Sequence, residues 1–306
     1  MRNTFLFFIA IKWTDASPPC YTEKKKYRGG CFNMEHIFLI RSSGKRSHTA
    51  SQLIARIRAA AVQTGALCLI REYRYAGDIE SFICRDAARG GAMRFYVSGS
   101  DAALCAAARV AAGFANAEIG ILPDLSGSDF TRGYPGADFA SPAAQIRGTS
   151  QPVDLINCNG QTFISSVRLC TPHPTPFQRA DRLNPPVSLA AACDDGTLLT
   201  GVFTLAGIGN GSFADRRRLF PMANPSDGKL DLVLQRARSA KNGPGAAAST
   251  APIRRQCSHI VLIPQQPLYV CGDGQKFRTL RLSCSILRGP IRFIVPAARY
   301  AYSSPR

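Results

Sequence analysis

Acidic residues are scarce in this chain, and histidine and tryptophan scarcer still: 20 Asp and Glu stand against 38 Lys and Arg, with four His and one Trp in 306 residues. The resulting net charge of +18 calls for an anionic partner: nucleic acid, a nucleoside phosphate or an anionic membrane surface. Composition does not choose among them. The histidines, His36, His48, His173 and His259, are too few and too scattered to form a metal or nucleophile constellation. No two of the eleven cysteines stand in a C-x-x-C pair, which excludes the common zinc and dithiol signatures. Most lie in apolar runs such as Leu67-Cys68-Leu69-Ile70, where cysteine is a small hydrophobe. The expectation is a chain of thiols without a disulfide framework, in a reducing, cytoplasmic compartment. The apolar run Phe5 to Ile11 falls short of the roughly 18 residues a membrane span needs. It leads into Lys12 and then Lys24-Lys25-Lys26 without a small-residue cleavage site. Residues 1–33 therefore read as a disordered extension, and residues 298–306 as a tail.

What is present is an ordinary folding composition, 45% hydrophobic and 19% charged, over a length that suits two domains. From Met34 to about residue 135 short apolar runs alternate with helical spacing, the pattern of βαβ units and a parallel sheet. His36–Ile40, Ala66–Arg71, Met93–Val97 and Glu118–Leu122 read as strands. Helices are expected after a Thr49 cap, around Ile79–Ala88 and over the alanine-rich Ala102–Ala112. From residue 136 to about 297 the pattern changes to short β-rich runs separated by Gly, Pro, Asn and Asp. Thr162–Val167, Leu198–Leu205, Leu230–Gln235, His259–Ile263, Leu268–Cys271 and Ile291–Val295 read as strands of a β-sandwich. The proline-rich segment between Leu169 and Pro186 and the Ala/Gly/Ser-rich Ser239–Pro252 read as irregular loops. The fold class is thus α/β followed by β: a doubly wound, Rossmann-like first domain and a sandwich second domain.

Three loops follow strands of the first half, where doubly wound sheets place their ligands: Arg41-Ser42-Ser43-Gly44-Lys45, Gly99-Ser100-Asp101-Ala102-Ala103 and Leu125-Ser126-Gly127-Ser128-Asp129. Each offers backbone N–H groups to an anion. In the second half Val153-Asp154-Leu155, Gly209-Asn210-Gly211-Ser212-Phe213, Pro221-Met222-Ala223, Asp227-Gly228-Lys229-Leu230-Asp231, Gly272-Asp273-Gly274-Gln275 and Gly289-Pro290-Ile291-Arg292 follow in that order along the chain. Taken singly these are turn signals; Asp273-Gly274, for instance, is a hairpin dipeptide. Their collinear order over residues 36–297 resembles the catalytic domain of the diacylglycerol kinase and sphingosine kinase family, the NAD-kinase-like lipid kinases.

That resemblance implies an ATP- and Mg²⁺-dependent transfer of a phosphoryl group to a lipid hydroxyl, that of a diacylglycerol or a sphingoid base, by a cytoplasmic protein at an anionic membrane surface. It places Gly44, Gly99, Ser100, Asp101, Ser126, Gly127 and Asp129 around the nucleotide and makes Asp273 the general base. It also gives Asp227 and the backbone near Lys229 a metal-binding loop, with oxygen ligands that suit Mg²⁺. Phosphoryl transfer asks for this set: a positioned hydroxyl, a metal, and N–H or cationic groups on the phosphate oxygens. The chain also departs from the pattern. Ala102 and Ala103 stand for Gly-Thr, Leu125 for a glycine, Gln275 for a carboxylate, and Asp215-Arg216-Arg217-Arg218 for a glycine-rich turn. If the Ala102 position requires positive φ, the methyl costs about 1 kcal/mol, and the lost hydroxyl about 1–3 kcal/mol more. The second reading is a silent relative that binds lipid or regulates without turnover. Nucleic acid is disfavoured, because no basic stripe interleaved with aromatics is present.

Overall fold

The computed structural model describes residues 34–42, 47–124, 127–171, 183, 185–237 and 251–297. The first half runs β1 (Glu35–Arg41), α1 (Ser47–Thr64), β2 (Cys68–Tyr73), α2 (Ala76–Ala87), β3 (Met93–Gly99), α3 (Asp101–Ala111) and β4 (Ala117–Pro123). The strands are parallel in the order β2-β1-β3-β4. Side chains alternate across a strand, and both faces of β1 are used. Ile37 and Leu39 pack with Ile79 and Ile83 of α2 and Leu104 and Ala107 of α3. Phe38 and Ile40 pack on the opposite face with Ile57 and Ala60 of α1. Burial on both faces is why these strands read as unbroken apolar runs. Helix α1 starts at Ser47, so Thr49 lies inside it and not at its cap.

A short helix, α4 (Pro142–Ile146), follows; Ser141 caps it through its Oγ, which accepts from the Ala144 N–H at 3.3 Å, and proline occupies its first turn. The remaining strands are β5 (Thr149–Cys158), β6 (Gln161–Phe163), β7 (Ser166–Cys170), β8 (Val187–Cys193), β9 (Leu198–Gly209), β10 (Leu230–Arg236), β11 (Ile253–Cys257), β12 (His259–Pro264), β13 (Leu268–Gly272), β14 (Gln275–Thr279) and β15 (Leu282–Val295). Among the described residues their pairings are antiparallel, with one exception: β15 also lies parallel to β4 through Arg292 and Phe293, so both halves share one mixed sheet of fifteen strands there. The inward faces of β5, β7, β9, β10, β12 and β13 meet in a second apolar cluster around Ile156, Leu169, Phe203, Leu232, Leu262 and Val270.

Two further expectations change, and one strand is added. The expected strand Thr162–Val167 is two strands, β6 and β7, broken at Ile164-Ser165, where the backbone N–H groups are taken by a side chain of the site described below. Strand β8 is rich in alanine and gives no β signal by composition. It is a strand because β9 and β12 flank it and its alternate residues are buried, a tertiary override of local preference. Finally, the chain is not free of disulfides: Cys158 and Cys284 face each other across β5 and β15 and are joined. Spacing could not show this, because the partners lie 126 residues apart. The cysteines therefore carry no argument about compartment.

Candidate active site

The first wall of the site forms where β3 meets α3. Gly99 ends β3 at φ +150°, and a Cβ there would lie 2.9 Å from the Tyr73 hydroxyl and 3.1 Å from Ala103 Cβ, so glycine is required. Ser100 is extended, and Asp101 opens the eleven-residue helix α3. The Asp101 carboxylate faces back onto the loop after β4. Its Oδ1 accepts from the Ser128 hydroxyl and its Oδ2 from the Asp129 N–H at 2.7 Å. Burial raises its pKa, and those hydrogen bonds oppose the rise. Asp129 is committed in turn: its Oδ1 accepts from the Arg216 N–H at 2.8 Å and lies 3.6 Å from Arg132 Nε. Gly127, at φ +77°, turns the loop between them.

The opposite wall is the hairpin turn joining β13 to β14. Asp273 and Gly274 have φ of +43° and +73°, the two left-handed residues of a type I′ turn, for which Asp-Gly is a favoured dipeptide. Asp273 Oδ2 accepts from the N–H groups of Ile164, at 2.7 Å, and Ser165, at 3.0 Å. The Ile164-Ser165 segment is itself fastened by the fully buried Asn210. The Asn210 Nδ2 donates to the carbonyls of Ile164 and Asp154 at 2.9 and 2.8 Å, and its N–H donates to Ser165 O at 2.8 Å. Burial, followed by the negative charge of Asp101 across the cleft, pushes the Asp273 carboxyl up to about 7, against the pull of the Ser165, Ile164 and Ser166 N–H groups.

Between the walls lies a cleft of about 530 Å³, lined by Ser100, Asp101, Asp129, Arg168, Arg216 and Asp273 among others. Five of the residues picked from sequence, Ser100, Asp101, Gly127, Asp129 and Asp273, meet in it, with Gly99 directly behind. Gly44 and Ser126 lie outside the described residues. Asp227 and Lys229 do not line the cleft. There Asp227 Oδ1 accepts from the Lys229 N–H at 3.0 Å, and the neighbouring Gly228 N–H donates to the buried Asp154 at 2.7 Å. Among the described residues no three His, Cys, Asp or Glu side chains gather as a metal cage.

Ala102 needs a correction. It lies in the first turn of α3 and is not among the residues with positive φ, so its methyl carries no left-handed strain. The steric demand falls on its neighbour instead: a Cβ on Gly274 would collide with Ala102 Cβ, so the two walls touch at that point. The sequence reading missed Arg168 and named Asp215 and Arg216 only as a departure from a glycine-rich turn, not as residues of the cleft. Arg168 is 8% exposed in a strand whose five residues are all buried, and it pairs with Asp215. A cation within a buried strand requires a partner, and Asp215 supplies it from a turn 47 residues later. Asp215 and Arg216 hold left-handed backbone, at φ +47° and +63°, where the family's turn has glycine.

No family model matches the sequence, and no curated protein matches it. The match is in three dimensions. A structure from Bacillus anthracis str. Sterne, described as a candidate diacylglycerol kinase, superposes with a TM-score of 0.69 at 16% identity, over 87% of this chain and 99% of that one. A second from the same organism, described as a diacylglycerol kinase, gives 0.66 at 17% identity, over 87% and 98%. Over most of its length this chain has the fold of those diacylglycerol kinase structures.

Proposed function

We propose that this chain is a lipid kinase, transferring the γ-phosphoryl group of ATP·Mg²⁺ to a hydroxyl of a diacylglycerol or a sphingoid base. The observation that carries the reading is Asp273. Its carboxyl, pushed up to about 7, sits across a cleft from the N-terminus of α3. A base effective at neutral pH needs a pKa near that pH, and a helix N-terminus favours phosphate. In this proposal residues 34–135 form a doubly wound nucleotide domain, and residues 136–297 a β-sandwich that receives the lipid. The Gly99-Ser100 turn and the first turn of α3 hold the phosphates. Asp273 takes the proton of the lipid hydroxyl as its oxygen attacks phosphorus and ADP departs. Asp101 keeps the β4 loop in place and, by its charge, keeps Asp273 from becoming too weak a base. The net charge of +18 docks the protein on an anionic membrane from the cytoplasmic side. Among the described residues no helix is long and apolar enough to cross a membrane. No step of the transfer passes through Asp227 or Lys229.

The test is transfer of radiolabelled γ-phosphate from ATP·Mg²⁺ to diacylglycerol and sphingoid bases dispersed in anionic vesicles. A labelled lipid is expected from the wild type and none from Asp273→Asn. Calorimetry with ATP·Mg²⁺ supplies the converse: no binding at millimolar nucleotide ends the kinase reading and leaves a lipid-binding relative.

A further inference from the structure

Six cysteines of the second half form three pairs, and the pairs differ in chemistry. Cys158 and Cys284 are joined as a disulfide. Cys193 and Cys257 are thiols, 8% and 6% exposed, both with pKa raised mainly by burial. Cys170 and Cys271 are not joined by a disulfide and remain thiols. Strands β7 and β13 pair with Cys170 opposite Tyr269 and Cys271 opposite Arg168, which sets the two cysteines diagonally on one face of the ladder. Each thiol acts on the other, which lowers the pKa of Cys271 and raises that of Cys170, and Cys170 Sγ also lies 3.9 Å from the Arg168 carbonyl oxygen. Cys271 lines the cleft, whereas Cys170 is 9% exposed.

The surroundings of this pair are cationic. Arg168 stands opposite Cys271 in the ladder, and Lys276 of the adjacent β14 holds its Nζ 4.1 Å from the centre of the Tyr269 ring. The charges of Lys276 and Arg168 add to the lowering of the Cys271 thiol, against burial and the more weakly acting Asp215. An accessible thiol beside cations, with a second thiol diagonal to it on the same face of the ladder, is the arrangement of a reactive cysteine and its resolving partner.

We propose that Cys271 is a peroxide-reactive thiolate and Cys170 its resolving thiol. The Cys271 sulfur attacks one oxygen of a hydroperoxide. The O–O bond breaks, an S–O bond forms, and the other oxygen leaves as an alcohol, or as water from hydrogen peroxide, after taking a proton. Cys170 then attacks the sulfenic sulfur; the S–S bond forms, the S–O bond breaks, and the oxygen leaves as water with the Cys170 proton. Two thiols lose two electrons and the peroxide gains them. A dithiol reductant reverses the step by exchange.

The two strands involved also hold Asp273. It follows directly after β13, and its carboxylate is fastened to Ile164 and Ser165 just before β7. A Cβ on Gly272 would collide with the Ser166 carbonyl, so β13 already lies tight against the start of β7. Drawing the two diagonal sulfurs together to bond length shifts one strand on the other beside Asp273. An effect of oxidation on phosphoryl transfer rests on the kinase reading; the thiol chemistry does not.

The experiment exposes the full-length protein to near-stoichiometric hydrogen peroxide, blocks remaining thiols by alkylation, and maps peptides by mass spectrometry without reduction. Linked Cys170–Cys271 peptides are expected at least about tenfold faster than any oxidation of Cys84, as thiolate character and not exposure alone sets the rate; Cys84 is the exposed control. Cys193 and Cys257 remain unlinked. In Cys170→Ser, dimedone traps a sulfenic acid at Cys271. A Cys271 still open to alkylation when Cys84 is oxidised overturns the proposal, and this outcome is read on the wild type alone. A Cys271 sulfenic acid that persists in the wild type overturns the role of Cys170.

Discussion

The two walls of the cleft use their aspartates differently. On the α3 side both oxygens of Asp101 are engaged by the β4 loop, and Asp129 is held by the Arg216 N–H; these carboxylates fasten loops. On the β13–β14 side the Ile164 and Ser165 N–H groups converge on one oxygen of Asp273, and its acidity is set by burial and by Asp101 across the gap. In the proposed reaction fastening and proton transfer are divided between the walls, and replacing each aspartate separates them.

Asp273→Asn gives the largest expected effect. Asparagine tolerates the left-handed conformation at φ +43°, and its amide oxygen still accepts from both N–H groups, so the change removes the titrating group with little else. Loss of a general base costs roughly 10²–10⁴-fold in turnover, measured as initial rates of phosphate transfer. Stability moves the other way. With its pKa raised from 3.8 to about 7, the native carboxyl binds more protons than the unfolded one between those values. Wild-type stability contributed by this group is therefore full below pH 4 and falls as pH rises to 7. At about 1.4 kcal/mol for each pH unit crossed, the fall is at most about 4 kcal/mol. Urea unfolding at pH 5 and pH 8 should show that decline in the wild type and much less of it in Asp273→Asn.

Asp101→Asn sharpens the contrast from the other wall. One amide group cannot accept all the hydrogen bonds that the carboxylate takes from Ser128 and Asp129, so a loss of about 1–3 kcal/mol in stability is expected by denaturant titration. Removing the negative charge that raises Asp273 lowers the Asp273 pKa, and the acid limb of the rate profile moves to lower pH. A limb that stays in place while stability falls would show that burial alone sets the basicity of Asp273.

Gly274→Ala probes where the walls touch. The added methyl meets Ala102 Cβ, and φ of +73° disfavours a side chain. A cost of about 1–2 kcal/mol comes from the conformation, with the collision added to it. In a double-mutant cycle with Ala102→Gly the conformational part persists and the collision disappears, so the coupling energy isolates wall-to-wall contact.

The parallel strands of the first half were legible because burial on both faces gives β1, β3 and β4 continuous apolar runs. The place of Asp273 was legible through the Asp-Gly dipeptide, whose turn the backbone adopts. Its basicity was not, as that depends on burial in the folded cleft and then on Asp101, 172 residues earlier by the two residue numbers. The Cys158–Cys284 bond and the Arg168–Asp215 pair were hidden for the same reason: each joins residues that only antiparallel registration or a left-handed turn brings together. Strand β8 was hidden by its alanines, which favour a helix until two neighbouring strands pair with them.

Ala102→Gly carries the smallest expected effect and decides how the departure from a glycine-rich loop is understood. If the alanine strained the turn, restoring glycine would stabilise the fold and tighten nucleotide binding. But Ala102 holds a helical conformation in the first turn of α3, exposed on its outer side. Glycine there gives up helix propensity, at most about 1 kcal/mol, and relieves nothing. Thermal unfolding should therefore show a slightly lower midpoint, and calorimetry an ATP·Mg²⁺ affinity changed by less than about threefold, under 0.7 kcal/mol. A larger gain in affinity would mean that the methyl against Gly274, and not backbone strain, narrows the cleft where the phosphates enter. The same gain should then appear in Gly274-containing variants only, since adding a Cβ at residue 274 refills the space that the substitution opened.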